Sequence, residues 1–319
     1  MVTVAYLFAG QGSQAVGMGK DLVAEFPRAR ELFEKAGAIL GFDLARVCFE
    51  GPAEELNRTD RCQPALLVHG LACLEVARKK GLPEADAAAG LSLGEYTAHV
   101  YSGSFSFEDG VRLLQKRGQF MQEACDRTPS GMVSILGLGR DKVDEAVRGQ
   151  GDVGVANLNS PGQIVISGEN AALERATARC KELGAKRAIP LKVAGAYHSV
   201  VMKPAQEKMQ RELAQVHIAR PRIPVWVATE WPHRRPVRRA LRWDGLFPTR
   251  LPGPEALAEL TGEIRASRPA ADPFDVIVDL PPGDDLGPWA QAGATWAVTD
   301  FGIQPTQAEV REVIDAGPG

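Results

Sequence analysis

The stretch Ala89-Gly90-Leu91-Ser92-Leu93-Gly94-Glu95-Tyr96 constrains the fold more than any other part of the chain. A serine with a glycine two residues away on each side, after a small-residue run and before helix formers, predicts the sharp strand-to-helix turn called a nucleophile elbow. The turn strains the serine backbone and crowds neighbouring chain, so Gly90 and Gly94 remove Cβ atoms that would collide. Ser92 then stands at a helix N-terminus, where free backbone N–H groups can stabilise an oxyanion. Ser92-x-x-Glu95 also fits a capping box, in which the hydroxyl merely satisfies a helix amide. The motif alone leaves both readings open.

The chain has 319 residues, 45% of them hydrophobic, enough for a sizeable core and two or three domains. A formal net charge of -3 and a pI near 6.0 exclude a general attraction for nucleic acid or an anionic membrane. No apolar run approaches the roughly 20 residues needed to span a bilayer. The opening Met1-Val2-Thr3-Val4-Ala5-Tyr6-Leu7-Phe8 has no basic leader and reads as a first strand. Cys48, Cys62, Cys73, Cys125 and Cys180 are odd in number, widely spaced and without a C-x-x-C pair. They argue against a disulfide framework or a zinc site and fit a reducing cytoplasm.

Residues 3–9 are predicted as a strand ending at the glycine loop Gly10-Gln11-Gly12-Ser13-Gln14, before a helical pattern through Phe26, Phe33 and Leu40. Strand, glycine loop and helix can aim backbone amides at an anion, although an ordinary tight turn explains the loop equally well. The loop lacks the Lys-Ser/Thr of a P-loop and the spacing of a dinucleotide fingerprint. Residues 53–80 read as one helix with Leu66, Leu67, His69, Leu71 and Val76 on or near its apolar face. His69 and His99 read as structural or surface residues, since neither sits beside a glycine turn or a second functional group.

A helix from about Glu108 to Ala124 carries Leu113, Leu114, Phe120 and Met121 at helical spacing, with Arg117 in the middle of that stripe. An inward guanidinium needs an anion, because an uncompensated buried charge costs several kcal/mol, of order 3–5. Its partner is either an internal Asp or Glu or a substrate carboxylate.

From Gly131 the pattern shortens: strand Met132–Leu136, helix Asp141–Val147, strands Val153–Asn157 and Gln163–Ser167, helix Ala171–Leu183, and strand Arg187–Pro190. This β-α-β-β-α-β order predicts a ferredoxin-like subdomain over residues 128–193, inserted in a larger domain of residues 1–127 and 194–222. The Asn157-Leu158-Asn159-Ser160-Pro161 segment reads as a polar turn able to face a cleft. Immediately after the insert, Ala194-Gly195-Ala196-Tyr197-His198-Ser199 places a histidine between a glycine and a helix carrying Met202, Ala205, Met209 and Leu213. His198 is the candidate base, since a serine hydroxyl needs one at neutral pH.

Five ordered motifs over residues 1 to about 222 resemble malonyl-CoA:acyl-carrier-protein transacylases. They are Phe8-Ala9-Gly10-Gln11-Gly12-Ser13-Gln14, Gly90-Leu91-Ser92-Leu93-Gly94-Glu95, Gln115-Lys116-Arg117-Gly118, Ala156-Asn157-Leu158-Asn159-Ser160-Pro161 and Gly195-Ala196-Tyr197-His198-Ser199. The resemblance implies an α/β-hydrolase-like core in which Ser92 carries the malonyl group from coenzyme A to the phosphopantetheine thiol of acyl carrier protein. It makes His198 the base and then the acid, Gln11 and Leu93 the backbone donors of the oxyanion hole, and Arg117 the clamp on the malonyl carboxylate. Asn157 and Asn159 become substrate-binding residues, and Lys116 or Lys192 a docking point for the acidic carrier. It implies no metal or redox cofactor, with malonyl-CoA and acyl carrier protein as partners of a monomer in the cytoplasm.

Beyond about Arg222 the resemblance changes. The family continues with a glutamine that helps orient the histidine and with a Gly-Pro-Gly stretch after a final strand; neither is found here, and the terminal Gly317-Pro318-Gly319 lacks the family's continuation. Instead, Ile223–Ala228, Arg234–Arg239, Trp243–Phe247, Phe274–Val278 and Ala292–Trp296 resemble the C-terminal part of luciferase-like monooxygenases, flavin- or deazaflavin-dependent (β/α)8 barrels. Residues 223–319 are therefore expected as a βα, half-barrel-like region fused near residues 220–224. Its arginine cluster, residues 234–242, reads as a solvated helix with Val237 and Leu241 inward.

Overall fold

The computed structural model describes residues 4–160, 162–231, 234–242, 244–249, 251–269, 273–299, 306, 308 and 311–312. The chain begins with β1 (Ala5–Phe8), α1 (Lys20–Glu25), α2 (Pro27–Leu40), α3 (Leu44–Glu50), α4 (Ala53–Leu56), α5 (Thr59–Lys79), β2 (Ala87–Gly90), α6 (Gly94–Ser102) and α7 (Phe107–Arg127). It continues through β3 (Ser130–Leu136), α8 (Arg140–Val147), β4 (Val153–Ser160), β5 (Gln163–Glu169), α9 (Asn170–Glu182) and β6 (Arg187–Pro190). A 3₁₀ turn at Val200–Met202 leads into α10 (Lys203–Leu213). Then come β7 (Val227–Glu230), α11 (Arg234–Ala240), β8 (Gly245–Thr249), α12 (Pro254–Ser267), β9 (Asp275–Leu280), α13 (Gly287–Gln291) and β10 (Trp296–Thr299).

These elements form two compact units, one of Leu7–Glu84 with Gly90–Arg220, the other of residues 1–6, Ala85–Ala89 and 221–319. In the first, α5 lies against α7 and α2, and α10 also packs on α7. Its antiparallel sheet has the order β4-β5-β3-β6. Side chains alternate between the two faces of a strand, and here both faces are used. Val133, Ile135, Ile164 and Ile166 meet Val143 and Ala146 of α8 and Leu173, Ala176 and Cys180 of α9. Met132 and Val165, one residue out of phase, meet Met121, Ala124 and Cys125 of α7 together with Tyr197. The sheet thereby becomes a wall behind the segment that carries His198.

In the second unit β7 to β10 are parallel, in the order β10-β9-β8-β7. One face buries Leu246, Val276, Val278 and Leu280 against Val237, Leu257, Leu260 and Ile264, and Leu241 packs on it as expected from the sequence. The other face gathers Phe247, Ile277, Trp296 and Val298 around Trp226 and Ala87. Residues 224–226 run parallel to β2, with Ala88 N–H donating to Pro224 O and Trp226 N–H donating to Ala88 O, each at 2.9 Å. Residues 4–6 and Ala85–Ala89, which the sequence placed in the large domain, thus cluster with the C-terminal segment.

Three local expectations are corrected. Residues 53–80 are not one helix but α4 and α5, parted at Asn57 and Arg58, whose backbone turns extended before Thr59. Phe26 is not helical: it takes φ −120° and ψ 108° between α1 and α2, because the proline that follows disfavours helical backbone before it. Strand β4 includes Asn157, as expected, but runs on through Asn159 instead of turning there, and its register with β5 shifts between Val155 and Asn157 and again between Leu158 and Ser160. Each shift inserts one unpaired residue into the strand, which the sequence presented as a cluster of turn formers. Pro161, Trp243 and residues 317–319 lie outside the described residues.

Candidate active site

The elbow forms between β2 and α6. Ser92 takes φ +55°, one of two non-glycine residues with positive φ among the described residues; the other is His198 at +56°. A Cβ on Gly90 would come within 2.0 Å of the Gly94 carbonyl carbon, and one on Gly94 within 2.3 Å of Phe8 O. Both glycines are therefore required by close approach of backbone. The α6 N-cap is Leu93, with no side-chain cap hydrogen bond. The capping-box reading of Ser92 fails on that geometry.

Several N–H groups around the elbow, those of Gln11, Ser92 and Leu93 among them, have no backbone acceptor among the described residues. Leu93 is fully buried. Free backbone N–H groups beside a serine are the kind of donor that an oxyanion needs. Gly12 N–H, by contrast, is held by Gln14 Oε1 at 2.8 Å, and Gln14 donates to Asn57 Oδ1 at 2.8 Å, which fixes the loop around Gln11.

Arg117 projects from α7 towards Ser92. Its Nη2 donates to Ser92 Oγ at 3.0 Å and its Nη1 to Gln63 Oε1 at 2.6 Å. The guanidinium also stands 5.8 Å from the centre of the Tyr96 ring. Burial lowers its pKa, partly offset by Tyr96, Glu95 and Tyr197. A guanidinium, the most basic of the side chains, nonetheless remains a cation at neutral pH. No Asp or Glu pairs with it among the described residues, so the internal salt bridge left open by periodicity is not formed. Gln63 was missed by sequence reasoning. It is fully buried on α5 and its Nε2 lies 3.3 Å from Met121 Sδ. The available signal was an amide side chain amid Cys62, Pro64, Leu66 and Leu67, a stripe with no other use for it.

His198 is held by its neighbours on both sides. Ala196 N–H donates to Ser130 Oγ at 3.1 Å, and Ser199 Oγ donates to Ala196 O at 2.7 Å while accepting from Val201 N–H at 3.2 Å. The Tyr197 phenol bonds to the Thr59 hydroxyl, and Gln11 also acts on it. A histidine in left-handed backbone persists only where the surroundings over-determine it. Among the described residues of its unit the His198 ring makes no hydrogen bond, to Ser92 or to an acid. The residue keeps exposed surface, yet its imidazole pKa is lowered from 6.5, first by the protein packed around the ring and then by the Arg117 cation.

The sign of that shift yields a prediction. Below its ordinary value, His198 stays neutral and able to accept a proton at pH 6.5 and somewhat lower, so the acid limb of activity falls below 6.5. Arg117→Ala removes one of the two lowering causes and should raise the His198 value. A titration of the His198 ring by NMR in both proteins checks this; a fall on substitution would contradict it.

Asn157 is half-buried and Asn159 exposed, and no hydrogen bond ties either to Ser92, Arg117 or His198. Their neighbour Ala156 packs with Tyr197, so β4 runs along the same wall. His69 and His99 are structural as expected: His69 lies 3.6 Å from Cys73 Sγ and the His99 ring packs at 5.3 Å on Phe105, with burial lowering both pKa values. The five cysteines are free. Among the described residues no helix is long and apolar enough to cross a membrane.

Comparison with known proteins agrees with this arrangement. Residues 5–244 match the acyl transferase domain, which passes the boundary placed near residue 222. The malonyl CoA-acyl carrier protein transacylase of Escherichia coli (strain K12) is 46% identical over 229 residues, 70% of this chain and 74% of that one. An acyl carrier protein S-malonyltransferase structure from Vibrio cholerae O1 aligns with TM-score 0.67 and 33% identity over 97% of this chain and 99% of its own. A holo complex of a type II PKS acyl-carrier protein with its malonyl-transacylase aligns with TM-score 0.70 and 34% identity, covering 99% and 100%. With a serine on a glycine elbow, a carboxylate-free arginine beside it and a matching profile over most of its length, the chain belongs to the acyl transferase domain family.

Proposed function

We propose that the protein transfers a malonyl group from malonyl-CoA to the phosphopantetheine thiol of acyl carrier protein. The observation that carries the substrate is Arg117: a cation with no Asp or Glu ion-paired to it among the described residues, hydrogen-bonded to the nucleophile itself. A carboxylate is the partner that a desolvated guanidinium lacks, and a malonyl group brings one close to the carbonyl under attack.

Ser92 Oγ attacks the thioester carbonyl and its proton passes to His198. The carbonyl oxygen takes negative charge between the N–H groups of Gln11 and Leu93, each worth on the order of 10²–10³ in rate. The C–S bond then breaks, and His198 returns the proton to the coenzyme A sulfur. In the second half the pantetheine thiol gives its proton to His198, sulfur attacks the malonyl-serine, and Ser92 recovers its proton as the ester bond breaks. The steps use the chain's own residues and call for no metal or redox cofactor. Asn157 and Asn159 are read as lining the acyl or pantetheine path on the strength of the motif they share with the transacylases.

Lys192 is the better of the two carrier-docking candidates, because Lys116 is already engaged with Glu212 at 2.5 Å while Lys192 is exposed. The β4-β5-β3-β6 order with two helices on one face supports the ferredoxin-like reading of residues 128–193. The four parallel strands of the second unit support a βα half-barrel-like reading of the C-terminal segment, and its motifs support the resemblance to luciferase-like monooxygenases. Free cysteines support work in a reducing cytoplasm. The monomer reading rests on the family resemblance alone.

One observation favours a second reading, a site of impaired turnover or simple hydrolysis: the His198 ring has no orienting hydrogen bond within its unit. Incubation with radiolabelled malonyl-CoA, with and without carrier protein, separates the readings. The transferase labels the carrier; rapid free malonate without carrier labelling indicates a hydrolase, and neither product indicates an impaired site.

A further inference from the structure

The Arg117–Ser92 hydrogen bond bears on when the nucleophile is available, and the inference from it rests on the acyl-transfer reading of the site. A serine hydroxyl offers one proton and two lone pairs. Here a cation occupies one lone pair at 3.0 Å, and Gln63 Oε1 at 2.6 Å on the other guanidinium arm holds the cation in place. The lone pair that must attack carbon is thereby drawn towards positive charge. Breaking a hydrogen bond to a charged group lowers a rate by roughly ten- to a hundredfold if it must precede attack.

The same cation could instead help by stabilising the serine alkoxide. A substrate carboxylate decides between these effects. It is a charged, bidentate acceptor and far stronger than a neutral hydroxyl, so it takes the guanidinium before attack begins. Alkoxide and oxyanion are then left to His198 and to the Gln11 and Leu93 amides. The Arg117–Ser92 bond therefore acts only in the resting protein, as a restraint.

We propose that Arg117 is a latch on Ser92, and that a thioester carrying its own carboxylate opens it. Selectivity then has two parts: Arg117 binds carboxylated acyl groups, and acyl groups without a carboxylate meet a nucleophile that is still restrained. Gln63 is the positioning residue of the latch, since it fixes the guanidinium without touching the reacting atoms.

An uncharged alkyl fluorophosphonate tests this without coenzyme A or carrier protein. Its phosphorus bonds to Ser92 Oγ, fluoride leaves, and the hydroxyl proton goes to the base or solvent; intact mass gives the second-order rate. The variants are Arg117→Met, which removes the cation, and Gln63→Glu, which keeps the volume and the cation but offers it a carboxylate. Both are expected to label at least about tenfold faster than wild type, with no labelling in Ser92→Ala. Unchanged or slower labelling overturns the latch. If thermal melting shows one variant unfolded, the other decides. Normal malonyl transfer with unaccelerated labelling overturns the latch alone, whereas accelerated labelling without any malonyl-serine formation overturns the substrate assignment and leaves the restraint standing.

Discussion

Arg117→Ala should lower malonyl transfer by about 10²–10³-fold and leave acetyl transfer undiminished. The magnitude follows from the cost of leaving one member of a buried charge pair alone, roughly 3–5 kcal/mol. In the wild type that penalty falls on acetyl-CoA, whose acyl group brings no carboxylate to the guanidinium. In the alanine variant it falls on malonyl-CoA, whose carboxylate meets Gln63 and Tyr96 but no cation. Initial rates with the two donors and one carrier protein measure the effect. Equal losses with both would mean that Arg117 supports the elbow through its bond to Ser92 rather than recognising an acyl group.

Ser92→Ala should abolish the acyl-enzyme and lower transfer on the order of 10⁴-fold or more, because the covalent route is closed and only binding and the oxyanion donors remain. The substitution removes one oxygen and leaves Gly90 and Gly94 in place, so the turn itself survives. Intact mass after exposure to malonyl-CoA should show the malonyl increment on wild type and none on the variant. A variant that still acquires the increment would place the nucleophile elsewhere.

Much of the first unit was legible in the sequence because its signals are local. The alternation in residues 130–190 reflects strands with a covered face and helices with one apolar stripe, and each strand and helix falls within a few residues of its expected position. The elbow was legible for a steric reason, since only glycine fits where backbone approaches within 2.0 and 2.3 Å of the place a Cβ would occupy. The Arg117 position was legible as a charge in an apolar stripe. The strand was ended too early, at Asn157, because asparagine favours turns locally, while the ladder with β5 keeps the chain extended past Asn159.

Partners were not legible, because a hydrogen bond between residues far apart in sequence leaves no period. Gln63 is 54 residues from Arg117, and Tyr197 is 138 from Thr59. The pairing of residues 224–226 with the strand that feeds the elbow was hidden for the same reason.

The sequence by itself singled out the candidate residues: Ser92 on its glycine turn, His198 after its glycine, Arg117 inside an apolar stripe. Steric exclusion and periodicity act within a few residues and so are written in order along the chain. Only the tertiary structure decided how those residues are engaged, with Arg117 bonded to Ser92 and Gln63 instead of an acid, and the hydroxyl turned to a cation instead of a helix amide. Those choices depend on which distant groups are buried together, and burial is a property of the folded chain.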